Sequence, residues 1–135
     1  MKIRALQPTR VYGSNGGFLT FGVVQESHTL AAAQKSATTI EIPARALVLG
    51  VATRVTTTIT ASAGTTWDLV VTDGGLGVVS SGVFTVSTTT VSPGPESHYV
   101  APVATTLTFI CRGGAFTAGV VRVQVYYALI TAPTS

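Results

Sequence analysis

Two histidines (His28, His98), one cysteine (Cys111) and five acids (Glu26, Glu41, Asp68, Asp73, Glu96) hold most of the reactive chemistry of this 135-residue chain. A triad hydrolase needs a nucleophile, a histidine base and an acid to orient it. No G-x-S-x-G elbow is present to lift a serine out of a strand-to-helix turn. His28 falls in "ESHTLAAAQKSA", which could form two helical turns or an extended linker, and His98 borders a Pro-rich loop. Both read as surface or loop residues rather than bases. A metal centre needs three or four ligands at defined spacing, and two distant histidines with one cysteine do not supply it.

Carbohydrate cleavage needs two carboxyl groups about 5 to 9.5 Å apart. Asp68 and Asp73 would stand about 17 Å apart on an extended strand. Asp68 is better read as the partner of an arginine such as Arg54, or as solvated. "GGLGVVS" (Gly74 to Ser80) nearly matches a dinucleotide fingerprint, but Ser80 replaces the last glycine and no helix pattern follows to aim N–H groups at a phosphate. No Gly-Lys-Ser/Thr phosphate loop occurs, since Lys35-Ser36 follows a glutamine. The expectation is therefore no enzyme, no cofactor and no metal.

The elements that must position these residues are strands. Thr (23) and Val (19) dominate the composition, and both are stiff, β-branched residues suited to a pleated surface. Asn15-Gly16 signals a type I′ hairpin turn, with strands near 9–12 and 18–24. "ATTIEIP" alternates and stops at Pro43. In "RALVLGVATRVTTTIT", Leu47, Leu49 and Val51 share a parity that Val55, Thr57 and Ile59 continue, and Gly50 marks a bulge or close packing. In "TWDLVV", Trp67, Leu69 and Val71 share a core face. Asp73-Gly74 signals another hairpin, "VVSSGVFTVSTTTV" gives one or two short strands, and Leu107, Phe109 and Cys111 share a face. Regular short strands with turns between them predict an all-β chain of seven to nine strands. The fold class is an antiparallel β-sandwich, jelly-roll-like, with a short N-terminal extension or hairpin.

"GGAFTAGVVRVQVYYALI" (Gly113 to Ile130) tests whether a glycine loop holds a ligand beneath Arg122. No helix follows the glycines, so Gly113 to Gly119 reads as a hairpin connection and Val120 to Leu129 as a strand. Val121, Val123, Val125 and Tyr127 then face the core. Arg122, Gln124 and Tyr126 face outward, toward a neighbouring subunit or a sugar. Tyr99 and Phe116 join them as candidate contacts, because aromatic rings supply large amphipathic area; Trp67 reads as core.

Charged residues make up 10% of the chain, against roughly a quarter in ordinary globular domains. Mean hydropathy is +0.49. So little charge suggests that other subunits cover part of the surface. The net charge is +3, without the clustered basic residues and interleaved aromatics of a nucleic-acid surface. Lys2, Arg4 and Arg10 form a basic start, read as a docking arm or as solvated side chains. No stretch is long enough to insert in a membrane, and the start does not read as a secretory signal. One cysteine allows no internal disulfide and suits folding in a reducing cytosol.

"IPARALVLGVATRVTTTIT", "TTWDLVV", "YVAP" and "LTFICRGGAFTAGVVRVQVYY" occur in this order. Together they resemble the small C-terminal β-domain of head-spike and tail-fibre proteins from alphaproteobacterial phages and gene transfer agents. Ile42 to Val51, Thr66 to Leu69, Tyr99 to Pro102 and Gly113 to Val123 stand at that family's motifs, and the resemblance covers residues 36–131. His98 stands where the family often has a tyrosine, Ala118 where it often has a glycine, and residues 73–92 are shorter and richer in Ser/Thr.

The resemblance implies a virion-surface protein, made in the bacterial host cytoplasm, whose family appends this module to spikes and fibres that meet capsule or other cell-surface polysaccharide. Residues 1–35 would be a docking arm or hairpin, 36–131 the sandwich and 132–135 a tail. The expected partners are further copies of the chain and other virion proteins, with cell-surface polysaccharide as a further one. The expected roles are head spike, fibre-base or decoration subunit. The alternatives are a carbohydrate-binding adhesin and a capsid cement protein.

Overall fold

The computed structural model describes residues 3–5, 9–71, 78–86, 89–92 and 103–132. Every regular element among them is a strand: β1 (Ile3–Ala5), β2 (Thr9–Tyr12), β3 (Phe18–Thr29), β4 (Lys35–Ile42), β5 (Leu47–Ala61), β6 (Thr66–Val71), β7 (Val78–Val83), β8 (Thr89–Ser92), β9 (Thr105–Arg112) and β10 (Phe116–Thr131). No helix in these residues is long and apolar enough to cross a membrane.

The strands form two antiparallel sheets. The first runs β1-β3-β10-β5-β8, with β2 also paired to β3; the second runs β4-β9-β6-β7. Four pairs nest in sequence: β3 with β10, β4 with β9, β5 with β8 and β6 with β7. A long antiparallel hairpin rolled so that successive nested pairs alternate between sheets is a jelly roll. The expected sandwich is therefore present, and β1 and β2 lie outside its eight strands. β3 pairs with β10 from Phe18 to Thr29, so this part of the first 35 residues is an inner strand of the sandwich.

Alternation explains the core. β4 alternates exposed and buried along its whole length. Trp67, Leu69 and Val71 meet Leu107, Phe109 and Cys111 on the inner side of the second sheet, and Val121, Val123 and Val125 face them from the first; all are at most 1% exposed. Burial of each such large apolar side chain contributes roughly 1.5–3 kcal/mol. The outward parity of Arg122, Gln124 and Tyr126 is as expected.

Four local expectations need correction. The stretch holding His28 is neither helix nor free linker, because Glu26 to Thr29 belong to β3 and only 30–34 connect it to β4. Leu49 does not share the core parity of Val51. Gly50 opposes Tyr126 while Val48 opposes Tyr127, so Leu49 is an extra residue, 44% exposed, and Val48 turns inward instead. One inserted residue switches every later side chain to the other face.

The Gly113 connection is not a hairpin. β9 pairs with β4 and β6, and β10 with β3 and β5, so residues 113–115 carry the chain between sheets. The Asn15-Gly16 turn does join β2 to β3, but over five residues closed by Gly13 N–H to Gly17 O at 2.7 Å. Only Gly16 takes a positive φ there, 84°, whereas a type I′ turn needs two. The Asp73-Gly74 signal lies outside the described residues.

Candidate functional site

Two groups of side chains carry the chemistry: a polar chain inside the sandwich and the outer face of the first sheet. On the inner side of β3, Glu26 is 1% and His28 5% exposed. Glu26 faces an irregularity in β4, where Ala37 pairs with Thr108 and the next paired residue is Glu41. Residues 38–40 leave the ladder. The Glu26 carboxylate takes up the freed donors, accepting from Thr39 N–H (3.0 Å), Ile40 N–H (3.2 Å) and the Thr39 hydroxyl (3.0 Å). Thr38 donates its hydroxyl to Leu107 O at 2.8 Å. A buried carboxylate is tolerated when such donors satisfy it.

His28 stacks on Phe109 at 5.7 Å between centroids. Its Nε2 lies 2.7 Å from Ser36 Oγ, which also accepts Ala31 N–H at 2.9 Å. Its Nδ1 has no hydrogen-bond partner and lies 3.6 Å from Glu26 Oε1. Burial pushes the His28 pKa below its usual 6.5, and the nearby Glu26 carboxylate opposes that shift. The order Ser36, His28, Glu26 is that of a hydrolase relay. Ser36 is 1% exposed, however, and its oxygen is shared with a backbone N–H, so no substrate carbonyl can reach it in this conformation. The expectation that His28 is a surface or loop residue is overturned. A strand reading of 18–29 would have exposed it, because i, i+2 spacing puts Glu26 and His28 on one face.

The outer face of the first sheet holds three of the expected contacts. Arg122 is exposed, with Arg54 directly opposite in β5 and Ser27 opposite in β3. In the next outward row Gln124 lies between Ala52 and Gln25. Gln124 donates Nε2–H to Gln25 Oε1 at 2.9 Å and accepts the Tyr126 hydroxyl on its Oε1 at 2.8 Å. A hollow of about 180 Å³ is lined by Ala52, Thr53, Arg54, Arg122 and Gln124. Arg54 therefore stands beside Arg122 and not beside Asp68 as the sequence suggests. Asp68 pairs instead with Arg112, across the β6–β9 ladder.

The remaining expected contacts do not gather there. Phe116 is 1% exposed and packs against Phe84 in the core, so it is no surface contact. It is the first residue of β10, where the chain has just crossed between sheets, and its ring turns inward. Trp67 is core as expected, with its Nε1–H donated to Val83 O at 3.1 Å. Tyr99 and Lys2 lie outside the described residues. Arg4 holds the register position opposite Gln25 in β1. Arg10, in β2, places its guanidinium 4.8 Å from the Phe18 ring centroid, a cation–π contact. Beside it, Val11, Tyr12 and Ile130 are exposed and border an open groove of about 570 Å³ along the β2–β3 turn and the end of β10. Among the described residues no three His, Cys, Asp or Glu side chains gather to hold a metal.

The sequence finds no match among protein-family models or curated proteins. Its fold does match a solved chain, from "Cyanophage Pam1 capsid asymmetric unit", with a TM-score of 0.50 and 22% identity over 93% of this chain and 94% of that one.

Proposed function

We propose that the chain is a structural protein of a bacteriophage particle, working on the particle surface as a homo-oligomeric decoration or spike subunit. The observation that carries this reading is the extent of the likeness to the cyanophage capsid chain: nearly all of each chain is covered, so the whole fold is compared rather than a shared piece. A jelly roll is common in capsid proteins but also occurs in lectins and cupins, and fold alone does not assign function. The surface adds its own support. Charge is scarce, and apolar Val11, Tyr12, Phe21, Leu49 and Ile130 are exposed on strands of the first sheet. Symmetric neighbours are the usual cover for such a face.

A structural role is supported by the burial of the relay-like Ser36, His28 and Glu26 among the described residues. Of the aromatic candidate contacts, Phe116 is buried. That leaves attachment to polysaccharide with less support than particle assembly. Purified particles of the encoding phage, examined by mass spectrometry and cryo-microscopy, should contain the chain at a symmetric surface position. Its absence from purified particles would overturn the proposal. Particles lacking it should lose thermal stability if it clamps capsid subunits, and lose adsorption if it is an attachment spike.

A further inference from the structure

We propose that the hollow between Arg54 and Arg122 is a docking point for an aspartate or glutamate side chain of a second, acidic protein. Like charges directly opposite on neighbouring strands repel, yet here two arginines share one row of the first sheet. Neither has a carboxylate partner among the described residues, where Asp68 pairs with Arg112 and Glu26 lies beside His28. The sheet offers them none: β5 and β10 contain no acid, and Glu26, the acid of β3, is turned into the core. Among the described residues this face therefore carries two exposed positive charges and no counter-charge.

The chemistry of the hollow selects a carboxylate. A guanidinium presents a planar fork of donors that matches a carboxylate, and both arginines line the hollow, with Ala52 in the next row. Gln124, also lining the hollow, is held by Gln25 and Tyr126 and keeps one amide N–H that neither bond uses. A nucleic acid would need a track of cations and stacking aromatics. This face has one opposed arginine pair rather than a track of cations, with exposed Tyr126 and Phe21 farther along it. A second copy of the chain is a poor donor. It carries a net charge of +3, and among the described residues Glu41 is its exposed acid without an ion pair.

This inference rests on the face alone and holds whether or not the chain belongs to a particle. The full chain, with its arginine Nε–H signals resolved by NMR, is titrated with an acetylated tetraglutamate peptide. A tetraglutamine peptide, an oligoguluronate and a short DNA duplex are run in parallel. The tetraglutamate peptide should shift the Arg54 and Arg122 signals together. Its affinity should fall about tenfold or more in Arg54→Gln and in Arg122→Gln, and again between about 20 and 300 mM salt. Without peptide, each variant should melt higher than the parent at low salt, because the repulsion is gone. That outcome also shows that both variants fold. The proposal is overturned if the peptide leaves both signals unmoved, if the glutamine peptide binds equally, or if the oligoguluronate or DNA binds more tightly at these arginines. Self-association of the parent that disappears in Arg54→Gln would equally overturn it, by making a second copy the occupant.

Discussion

Glu26 Oε2 accepts the backbone N–H of Ile40 at 3.2 Å, so a carboxylate on the first sheet replaces a ladder partner that the second sheet does not provide. Glu26→Ala leaves the buried Ile40 N–H without that acceptor and removes two further bonds to the exposed Thr39. The expected loss is about 3 kcal/mol, the scale for removing hydrogen bonds to a charged group. Glu26→Gln keeps the volume and one acceptor oxygen and should lose less. Urea unfolding should show a lower midpoint at unchanged slope; a midpoint within error of the parent in Glu26→Ala would refute the bridging role.

Burial lowers the folded-state pKa of His28 below 6.5, and stability rises with pH wherever the unfolded chain binds more protons. As pH falls through the unfolded value, the unfolded state takes up the proton first and stability declines. The decline ends below the folded-state pKa. His28→Phe, which retains an aromatic ring beside Phe109, should have a flatter profile of unfolding midpoint between about pH 7.5 and 5.5. Superimposable parent and variant profiles would show that His28 contributes nothing to the slope.

Gly82 lies against Trp67: a Cβ added there would stand 2.6 Å from Trp67 Cζ2. The indole is fully buried and tied by its N–H to Val83 O, so it has little room to yield. Gly82→Ala should cost about 1–3 kcal/mol by overpacking and shift the tryptophan fluorescence. A variant as stable as the parent with unchanged emission would show that the contact is loose.

Arg112 pairs with Asp68, but more than half of the Arg112 side chain is exposed. Solvent screening then limits the pair to about 0.2–1 kcal/mol. Asp68→Asn should lower the melting temperature slightly at low salt, with the difference shrinking as salt rises. A loss that persisted at high salt would mean that Asp68 acts through packing rather than charge.

Alternation was legible wherever a strand kept perfect register. Val121, Val123 and Val125 were readable as core and Arg122, Gln124 and Tyr126 as surface, because a period of two leaves no other assignment. The same rule failed at Leu49, since a bulge is decided by the partner strand and appears in the sequence only as Gly50. It failed also for His28, where three alanines and polar neighbours weakly favour a helix and pairing with β10 overrides that preference.

Composition and alternation by themselves determined that this chain is a β-sandwich with little charge to spare. Both are local properties that survive any choice of strand order. Which residues meet across strands and sheets was decided only by the tertiary structure. Arg54 and Arg122 are 68 positions apart, and Glu26 reaches Ile40 across two sheets. Such pairs depend on register and nesting, which the whole core fixes at once and no single segment encodes.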